Sequence, residues 1–340
     1  MSEHAAASTG AFPGVSIVVP VLDEERHLEE SVARLLGQRY AGALEVVLAL
    51  GPSADGTDAI AERLAAADPR LRLVPNPTGR TPAGLNAAIA VATYDVIVRC
   101  DGHALVPDDY VAVAVEVLQR TGADNVGGMM AAEGTTPFER AVALAMTSRL
   151  GVGSASFHTG GDEGEALTVY LGAFRRAAID RVGGYDETMV RAQDWELNHR
   201  IRESGGLIWF TPGMQVTYRP RSTVRALAKQ YLEYGRWRRE VVRRYPDTIS
   251  LRYLAAPIAV AGVAAGAIAG AAAAAGAPSW LALGWLAPVG YAALVVVGGA
   301  MAARGAGIDV ARRMPLVLAT MHGSWGLGFL TSPRSVAQQG

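Results

Sequence analysis

Val96-Ile97-Val98-Arg99-Cys100-Asp101-Gly102-His103 is a run of strand-forming residues that ends in a carboxylate, a glycine and an imidazole. In open α/β sheets, ligands collect at the carboxyl ends of the strands. An Asp and a His two positions apart at such an edge are suitable donors for a divalent metal, and a metal there can hold a diphosphate. An ordinary Asp-Gly turn after a strand has the same sequence, so the surrounding chain has to decide between the two.

Upstream, strand and helix alternate. Val15-Ser-Ile-Val-Val-Pro-Val reads as a buried strand, followed by Asp23, Glu24 and Glu25 opening a helix with Leu28, Val32, Leu35 and Leu36 on one face. Acids in a first helical turn suit the helix dipole. Leu44–Leu50 is a second strand, 58–67 a helix after an Asp-Gly turn, 71–74 a third strand and 83–92 a helix entered through Asn76-Pro-Thr-Gly-Arg80. The fourth strand delivers Asp101. This alternation predicts an α/β fold with a mostly parallel central sheet and helices on both faces. Beyond it, 110–119 reads as helix, 125–132 as a strand of the same sheet, and Gly151 to Glu165, with its glycines, Ser154 and His158, as a mobile loop. Gln193-Asp-Trp-Glu-Leu opens a helix, and 207–210 and 215–219 read as two short strands.

The net charge of -1 conceals an asymmetry. From Arg219 to Arg252 there are ten Lys/Arg against three acids, and from Tyr253 to Ala303 there is no charged residue or histidine. A basic block directly before an uncharged one points to anionic lipid headgroups, not nucleic acid. The basic block reads as a long helix from a Ser222 N-cap to about Tyr245, stopped by Pro246. Residues 254–275 and 280–301 are each 22 long, and a membrane-spanning helix needs roughly 20. They predict a transmembrane hairpin. A third span over 314–330 is left open by Pro315 and His322. Arginines before the first span and after the second put the N-terminal portion in the cytoplasm by the positive-inside rule. The first fourteen residues lack the pattern of a secretion signal. Cys100 is the single cysteine, so neither an internal disulfide nor a zinc-finger type site is available.

Several short motifs then fall in a telling order. Strand-Pro20-x-x-Asp-Glu24, Ser53-x-Asp55-Gly-Thr, the Asn86-bearing helix, Asp101-x-His103, Gly183-Gly-Tyr-Asp-Glu and Gln193-Asp-Trp-Glu-Leu together resemble a family-2 glycosyltransferase of GT-A fold, over about Val15 to Tyr245. Arg99-Cys-Asp-Gly-His-Ala and Gln230-Tyr-x-x-Tyr-Gly-x-Trp-Arg are similar to the membrane-attached, succinoglycan-type exopolysaccharide branch. The resemblance implies a nucleotide-sugar-binding GT-A domain at 15–221 after a flexible tail at 1–14. A basic juxtamembrane region at 222–252 and a membrane region at 253–333 would follow, with the protein in the plasma membrane.

The resemblance also implies roles. Pro20 and Glu24 would line the nucleotide pocket, Asp55 and Asn86 would flank the nucleotide, and Arg80 would meet a phosphate. Asp101 and His103 would hold Mn²⁺ or Mg²⁺, Asp194 would be the general base, and Gln230, Trp237 and Arg238 would close over the diphosphate and acceptor channel. Each also has a plainer reading: a helix-terminal acid for Glu24 and Asp194, a turn or cap for Asp55, a packing amide for Asn86, solvation for Arg80, packing for Trp237. His158 and His322 receive no role. The sequence departs from the family in two places. Leu50 and Gly51 stand where relatives carry an Asp pair for the base, and His103 stands where many have Asp, which favours Mn²⁺ as the softer ion.

The chemistry agrees with these roles. Loss of a nucleoside diphosphate builds negative charge that a divalent cation neutralises, and the acceptor hydroxyl needs a carboxylate base. One base without a covalent partner implies inversion. The expected acceptor is a lipid-linked saccharide in polysaccharide or glycan assembly, within a polysaccharide-assembly complex. Two rivals stay open: a synthase that loads polyprenyl phosphate directly, and a non-catalytic membrane scaffold that senses nucleotide sugars.

Overall fold

The computed structural model describes residues 12–153 and 155–334, so positions 1–11 of the expected tail lie outside the described residues. The chain forms two compact units. The first holds the chain to Gly128 together with Glu163–Glu187 and Leu197–Val216; the second holds Met129–Asp162, Thr188–Glu196 and the chain from Thr217.

The first unit is built on strands β1 (Val15–Val21), β2 (Leu44–Leu50), β3 (Leu71–Pro75), β4 (Val96–Arg99), β5 (Asn125–Ala132), β6 (Gly164–Glu165), β7 (Tyr170–Arg175) and β8 (Ile208–Tyr218). They lie in the order β3-β2-β1-β4-β7-β5-β8-β6. β1 is parallel to β2 and to β4, with Val15 opposite Leu44 on one side and Val96 on the other, and β2 is parallel to β3. Ile17, Val18, Val19, Val46, Val47 and Leu48 are at most 1% exposed, as expected for β-branched strands covered on both faces. The expected parallel half is present. Beyond β4 the sheet turns antiparallel: β7 opposes β4 and β5, and β6 opposes β8. The two short strands expected over 207–219 are one strand, β8. β6 pairs with Trp209 and Phe210, so the missing Pro212 amide breaks no bond on that edge.

The helix Leu28–Leu36 buries Leu28, Val32 and Leu35, each at most 1% exposed. Burying each contributes roughly 1.5–3 kcal/mol of transfer free energy. Its start corrects the sequence reading. Asp23, Glu24 and Glu25 precede the helix, and its first-turn acids are Glu29 and Glu30. The Glu24 carbonyl accepts from His27 and Leu28 N–H, forming a turn that frees the Glu24 side chain from any capping duty.

In the second unit the basic helix runs Val224–Arg244. Its N-cap is Thr223, whose Oγ accepts from Ala226 N–H at 3.2 Å, in place of the expected Ser222. The helix Met314–Leu330 packs directly against it. A Cβ on Gly235 would collide with the Trp325 carbonyl, and one on Gly328 with that of Leu232. Leu251–Ala274 and Ser279–Ala302 are each long and apolar enough to cross a membrane, with mean hydropathy 1.9 and only 11% and 6% of their most apolar windows buried. The first begins three residues earlier than its apolar run, because Arg252 and Tyr253 fit in its first turn. The second starts as a 3₁₀ segment, Ser279–Trp285. Glycines close the pair: a Cβ on Gly266 would meet the Gly284 carbonyl. Met314–Leu330 is 17 residues with Met314, Val317, Leu318 and Met321 fully buried. The segment read as a loop from Gly151 contains the helical turns Arg149–Val152 and Ser156–Thr159, the first capped by Ser148 Oγ on Gly151 N–H at 3.0 Å.

Candidate functional site

Because β1, β2 and β4 are parallel, they end on one edge of the first unit. Gly51 N–H reaches the Val21 carbonyl at 2.8 Å and Cys100 N–H that of Val18 at 3.1 Å, which holds the three exits together. The chain after β1 is pinned there. Asp23 takes a left-handed conformation (φ 55°), its Oδ1 accepts from Ala54 N–H at 2.7 Å and its own N–H reaches Ser53 Oγ. Asp is among the non-glycine residues that tolerate this region. Glu24 N–H donates to Thr57 Oγ1 at 2.8 Å. Asp55 accepts from Glu25 N–H at 3.2 Å and from Thr57 N–H at 3.0 Å. The Thr57 hydroxyl, with the amides, holds its carboxyl below the usual range. Asp55 thus staples the loop after β1 to the turn after β2, which is its plainer reading, and it does so while exposed at the edge.

Glu24 and His103 meet. Glu24 Oε1 lies 2.6 Å from His103 Nδ1, with the His side chain 55% exposed and the Glu 16%. Gly102 makes the approach feasible, since a Cβ there would sit 3.0 Å from Glu24 Cγ. Asp101 Oδ1 is 2.9 Å from Nη2 of Arg99, whose side chain is 4% exposed. Sequence reasoning gives Arg99 no role of its own, although an arginine inside an apolar strand is the signal for one. Cys100, between them, is fully buried, and burial followed by the Asp101 charge pushes its thiol up to about 12.

The other first-unit candidates are mainly anchored to protein. Asn86 donates to the Tyr185 carbonyl at 2.9 Å and to Glu187 Oε1 at 3.0 Å, and accepts from Tyr185 N–H at 2.9 Å. It clamps the Gly-Gly-Tyr-Asp-Glu segment, where Gly184 (φ 78°) leaves room for its Oδ1. Arg80 sits half-buried at the N-cap of Thr81–Val91. Pro20 lies in β1 opposite Ala49 and under Gly84 of that helix. Gly51 explains its own departure from the family pattern: a Cβ there would be 3.1 Å from Leu22 Cδ1 and 3.2 Å from Gly79 Cα, so an aspartate would need the 76–80 loop to move.

The second unit gathers a separate group. Asp194 lies in the first turn of Gln193–Glu203, just after Ala192 at φ 60°. Its neighbour Trp195 packs under the Arg238 guanidinium, 4.9 Å from ring centroid to Cζ, and Glu196 accepts from the Tyr245 hydroxyl at 2.7 Å. Trp237 is 7% exposed and packs with Met189 and Val241, so it is a core residue of this unit. Gln230 Nε2 donates to the Tyr218 and Tyr234 hydroxyls at 2.8 and 3.0 Å, while its buried Oε1 has no partner. Tyr245, which braces Glu196, was missed by sequence reasoning except as a helix-face residue.

Among the described residues no three His, Cys, Asp or Glu side chains converge as a metal cage. Asp101 and His103 offer one oxygen and one imidazole nitrogen, and Glu24 on Nδ1 orients the ring as second-sphere carboxylates do for ligating histidines. That set fits an ion whose other positions are filled by donor phosphates and water, the usual arrangement for Mg²⁺-type sites.

Comparison with known proteins agrees with this architecture. Residues 16–183 match the family described as Glycosyl transferase family 2. The chain is 34% identical over 332 residues, 97% of its length and 96% of the relative's, to the succinoglycan biosynthesis protein ExoA of Rhizobium meliloti (strain 1021). It is 22% identical over 239 residues, 68% of its length and 74% of the relative's, to a dolichyl N-acetyl-alpha-D-glucosaminyl phosphate 3-beta-D-2,3-diacetamido-2,3-dideoxy-beta-D-glucuronosyltransferase of Methanococcus voltae. In fold it is similar to the mannosyltransferase PcManGT of Pyrobaculum calidifontis, solved with GDP-Man and Mn²⁺, at TM-score 0.62 and 23% identity over 95% of this chain and 88% of that one.

Proposed function

The chain belongs to glycosyl transferase family 2, and on that premise we propose that it is a metal-dependent, inverting enzyme of exopolysaccharide assembly. It moves a sugar from a nucleotide-sugar donor to a lipid-linked saccharide at the cytoplasmic face of the plasma membrane. The observation that carries this reading is the edge formed by Asp101, His103 and Glu24 at the ends of parallel strands. Two relatives support the pathway and the acceptor class: the Rhizobium protein is named for succinoglycan biosynthesis, and the Methanococcus protein for an acceptor sugar on a dolichyl phosphate.

In this reading Asp101 and His103 would hold Mn²⁺ or Mg²⁺, and the bound ion would supply charge neutralisation for a leaving nucleoside diphosphate. Arg99 holds the Asp101 carboxylate in place through the 2.9 Å ion pair. Pro20, Asp55, Arg80 and Asn86 shape the donor side. Asp194 accepts the proton of the attacking hydroxyl, and with no covalent partner the anomeric configuration inverts. Gln230 and Arg238 serve the diphosphate and acceptor side, while Trp237, named with them by the resemblance, packs in the core of its unit. The portion 15–221 carries the chemistry, and 222–252 with the apolar helices holds it at the bilayer.

Purified protein in nanodiscs, given a panel of radiolabelled nucleotide sugars, Mn²⁺ and a lipid-linked saccharide extract, should label the lipid fraction with one donor. Asp101→Ala and Asp194→Asn should each abolish transfer, with rate losses on the order of 10² or more for the base. Metal-independent transfer by wild type, or full transfer by Asp194→Asn, would refute the roles.

A further inference from the structure

The second unit contains a cluster that joins Arg238 to two residues the roles above leave unused, Arg252 and His158. Among the described residues, the buried side-chain nitrogens without a hydrogen-bond partner include Arg238 Nη1 and His158 Nδ1. Buried donors are normally satisfied, so each such atom calls for an explanation. The two are linked through Arg252. The Arg238 and Arg252 guanidiniums both lie over the Tyr253 ring, at 4.1 and 5.5 Å from its centroid. Arg252 is held by the turn beside His158: its Nη2 donates to the Val152 carbonyl at 3.0 Å, and its Nε packs over Gly153, where φ is 77° and a Cβ would sit 2.7 Å away.

Neither arginine forms an ion pair with a carboxylate among the described residues. Burial, reinforced by the Arg252 charge, brings His158 down to about 4, and burial lowers Arg238 as well. The two guanidiniums make this a positively charged cluster. Stacking on Trp195 and Tyr253 uses the faces of the Arg238 guanidinium and leaves its in-plane N–H edge to meet an oxyanion. The cluster also stands at the N-terminus of Leu251–Ala274, whose cap Ser250 makes no side-chain cap bond, and a helix start favours phosphate. The same helix then continues as lipid-compatible surface, with Leu251, Ile258 and Ile268 83%, 60% and 71% exposed. An anion with an apolar tail suits this combination.

We propose that Arg238, Arg252 and His158 form a pocket for the phosphoryl group of the polyprenyl lipid that carries the acceptor saccharide. The inference rests on the glycosyltransferase reading above. Arg252 and Arg238 supply charge-assisted, forked hydrogen bonds, His158 Nδ1–H supplies a further donor, and Tyr253 holds the two guanidiniums at the level where the apolar helix begins.

The test uses the full-length protein in phosphatidylcholine nanodiscs and measures equilibrium binding of two probes, a long-chain polyprenyl diphosphate and a soluble nucleoside diphosphate with Mn²⁺. Arg252→Gln should weaken binding of the polyprenyl diphosphate about tenfold or more, the scale of a charged hydrogen bond, and leave the nucleotide affinity unchanged. Arg252→Lys should recover part of the loss, because charge returns without the fork. His158→Phe, which keeps a ring beside Phe157, should weaken the lipid probe several-fold and serves if Arg252→Gln does not fold. The pocket is refuted if both variants bind the lipid probe as wild type does, if wild type does not bind it, or if the loss falls on the nucleotide, which would make this a donor-phosphate site. Equal competition by phosphatidylglycerol would also refute it, by showing a general anionic surface. If wild type binds the lipid probe but no nucleoside diphosphate, the glycosyltransferase reading fails and the pocket stands.

Discussion

Replacing Glu24 with Gln changes a single atom type at the point where the first unit would hold its metal. Glu24 Oε1 accepts from His103 at 2.6 Å, which places the imidazole proton on Nδ1 and presents Nε2 as the ligating nitrogen. An amide oxygen can still accept that proton, but charge-assisted bonds are about twice as strong as neutral ones. With a charged bond contributing roughly 1.5–3 kcal/mol and a neutral one about half that, the loss is about 1 kcal/mol. The low end applies because the His103 side chain is 55% exposed and solvent competes. The expected outcome is a Mn²⁺ dissociation constant raised about fivefold in Glu24→Gln, and ~10- to 100-fold in Glu24→Ala, the span seen when second-sphere partners are removed. Gly102→Ala should act in the same direction without altering a polar atom, since its Cβ would press on Glu24 Cγ at 3.0 Å. Titrating Mn²⁺ by electron paramagnetic resonance, with a nucleoside diphosphate present, reads this directly. The reasoning is refuted if Glu24→Gln binds Mn²⁺ within twofold of wild type while His103→Gln binds weakly, because the histidine would then ligate without help from Glu24. No change in either variant would remove His103 from the metal site altogether.

Further expectations follow from the same structure. Cys100 is fully buried with its thiol pushed up to about 12, so iodoacetamide at pH 8 should leave the native protein unmodified and label it fully only after unfolding. Gly235→Leu should lower the melting temperature by a cost of roughly 1–3 kcal/mol or more, because the side chain has to displace the Trp325 backbone. Gly262→Ala, where a Cβ meets nothing within 4 Å, is the control and should not destabilise. Glu139 closes the capping box on Thr136, and bonds from Thr135 first, then Thr136, bring its carboxyl from 4.5 down to about 2. A depressed carboxyl stabilises above its unfolded pKa and loses that contribution as pH falls through the folded value. Glu139→Gln should therefore melt lower than wild type near neutrality, and the gap should close between pH 4.5 and about 2.

Local patterns were readable wherever one residue type has one physical outcome. Apolar alternation and β-branched runs marked β1, β2 and β4; the spacing of Leu28, Val32 and Leu35 marked their helix; an uncharged run marked the apolar pair. Motif order pointed to the family, as the full-length match bears out. Errors arose where capping and turns compete with propensity. Asp23, Glu24 and Glu25 precede a helix that begins only at Leu28, Thr223 and not Ser222 caps the basic helix, and the two short strands expected over 207–219 are one.

The amino-acid order by itself determined the α/β alternation, the polarity of each segment and the residue types at the strand ends, because these depend on spacing along one chain. Only the tertiary structure decided which side chain each polar group meets. Asp101 turned out to rest on Arg99 and His103 on Glu24, 79 residues away in sequence. Asp55 and Asn86 are spent on backbone amides and carbonyls, and His158, given no role from sequence, lies in a cluster with Arg252 and Arg238. Such pairings are set by loop closure and burial over long separations, and no local periodicity encodes them.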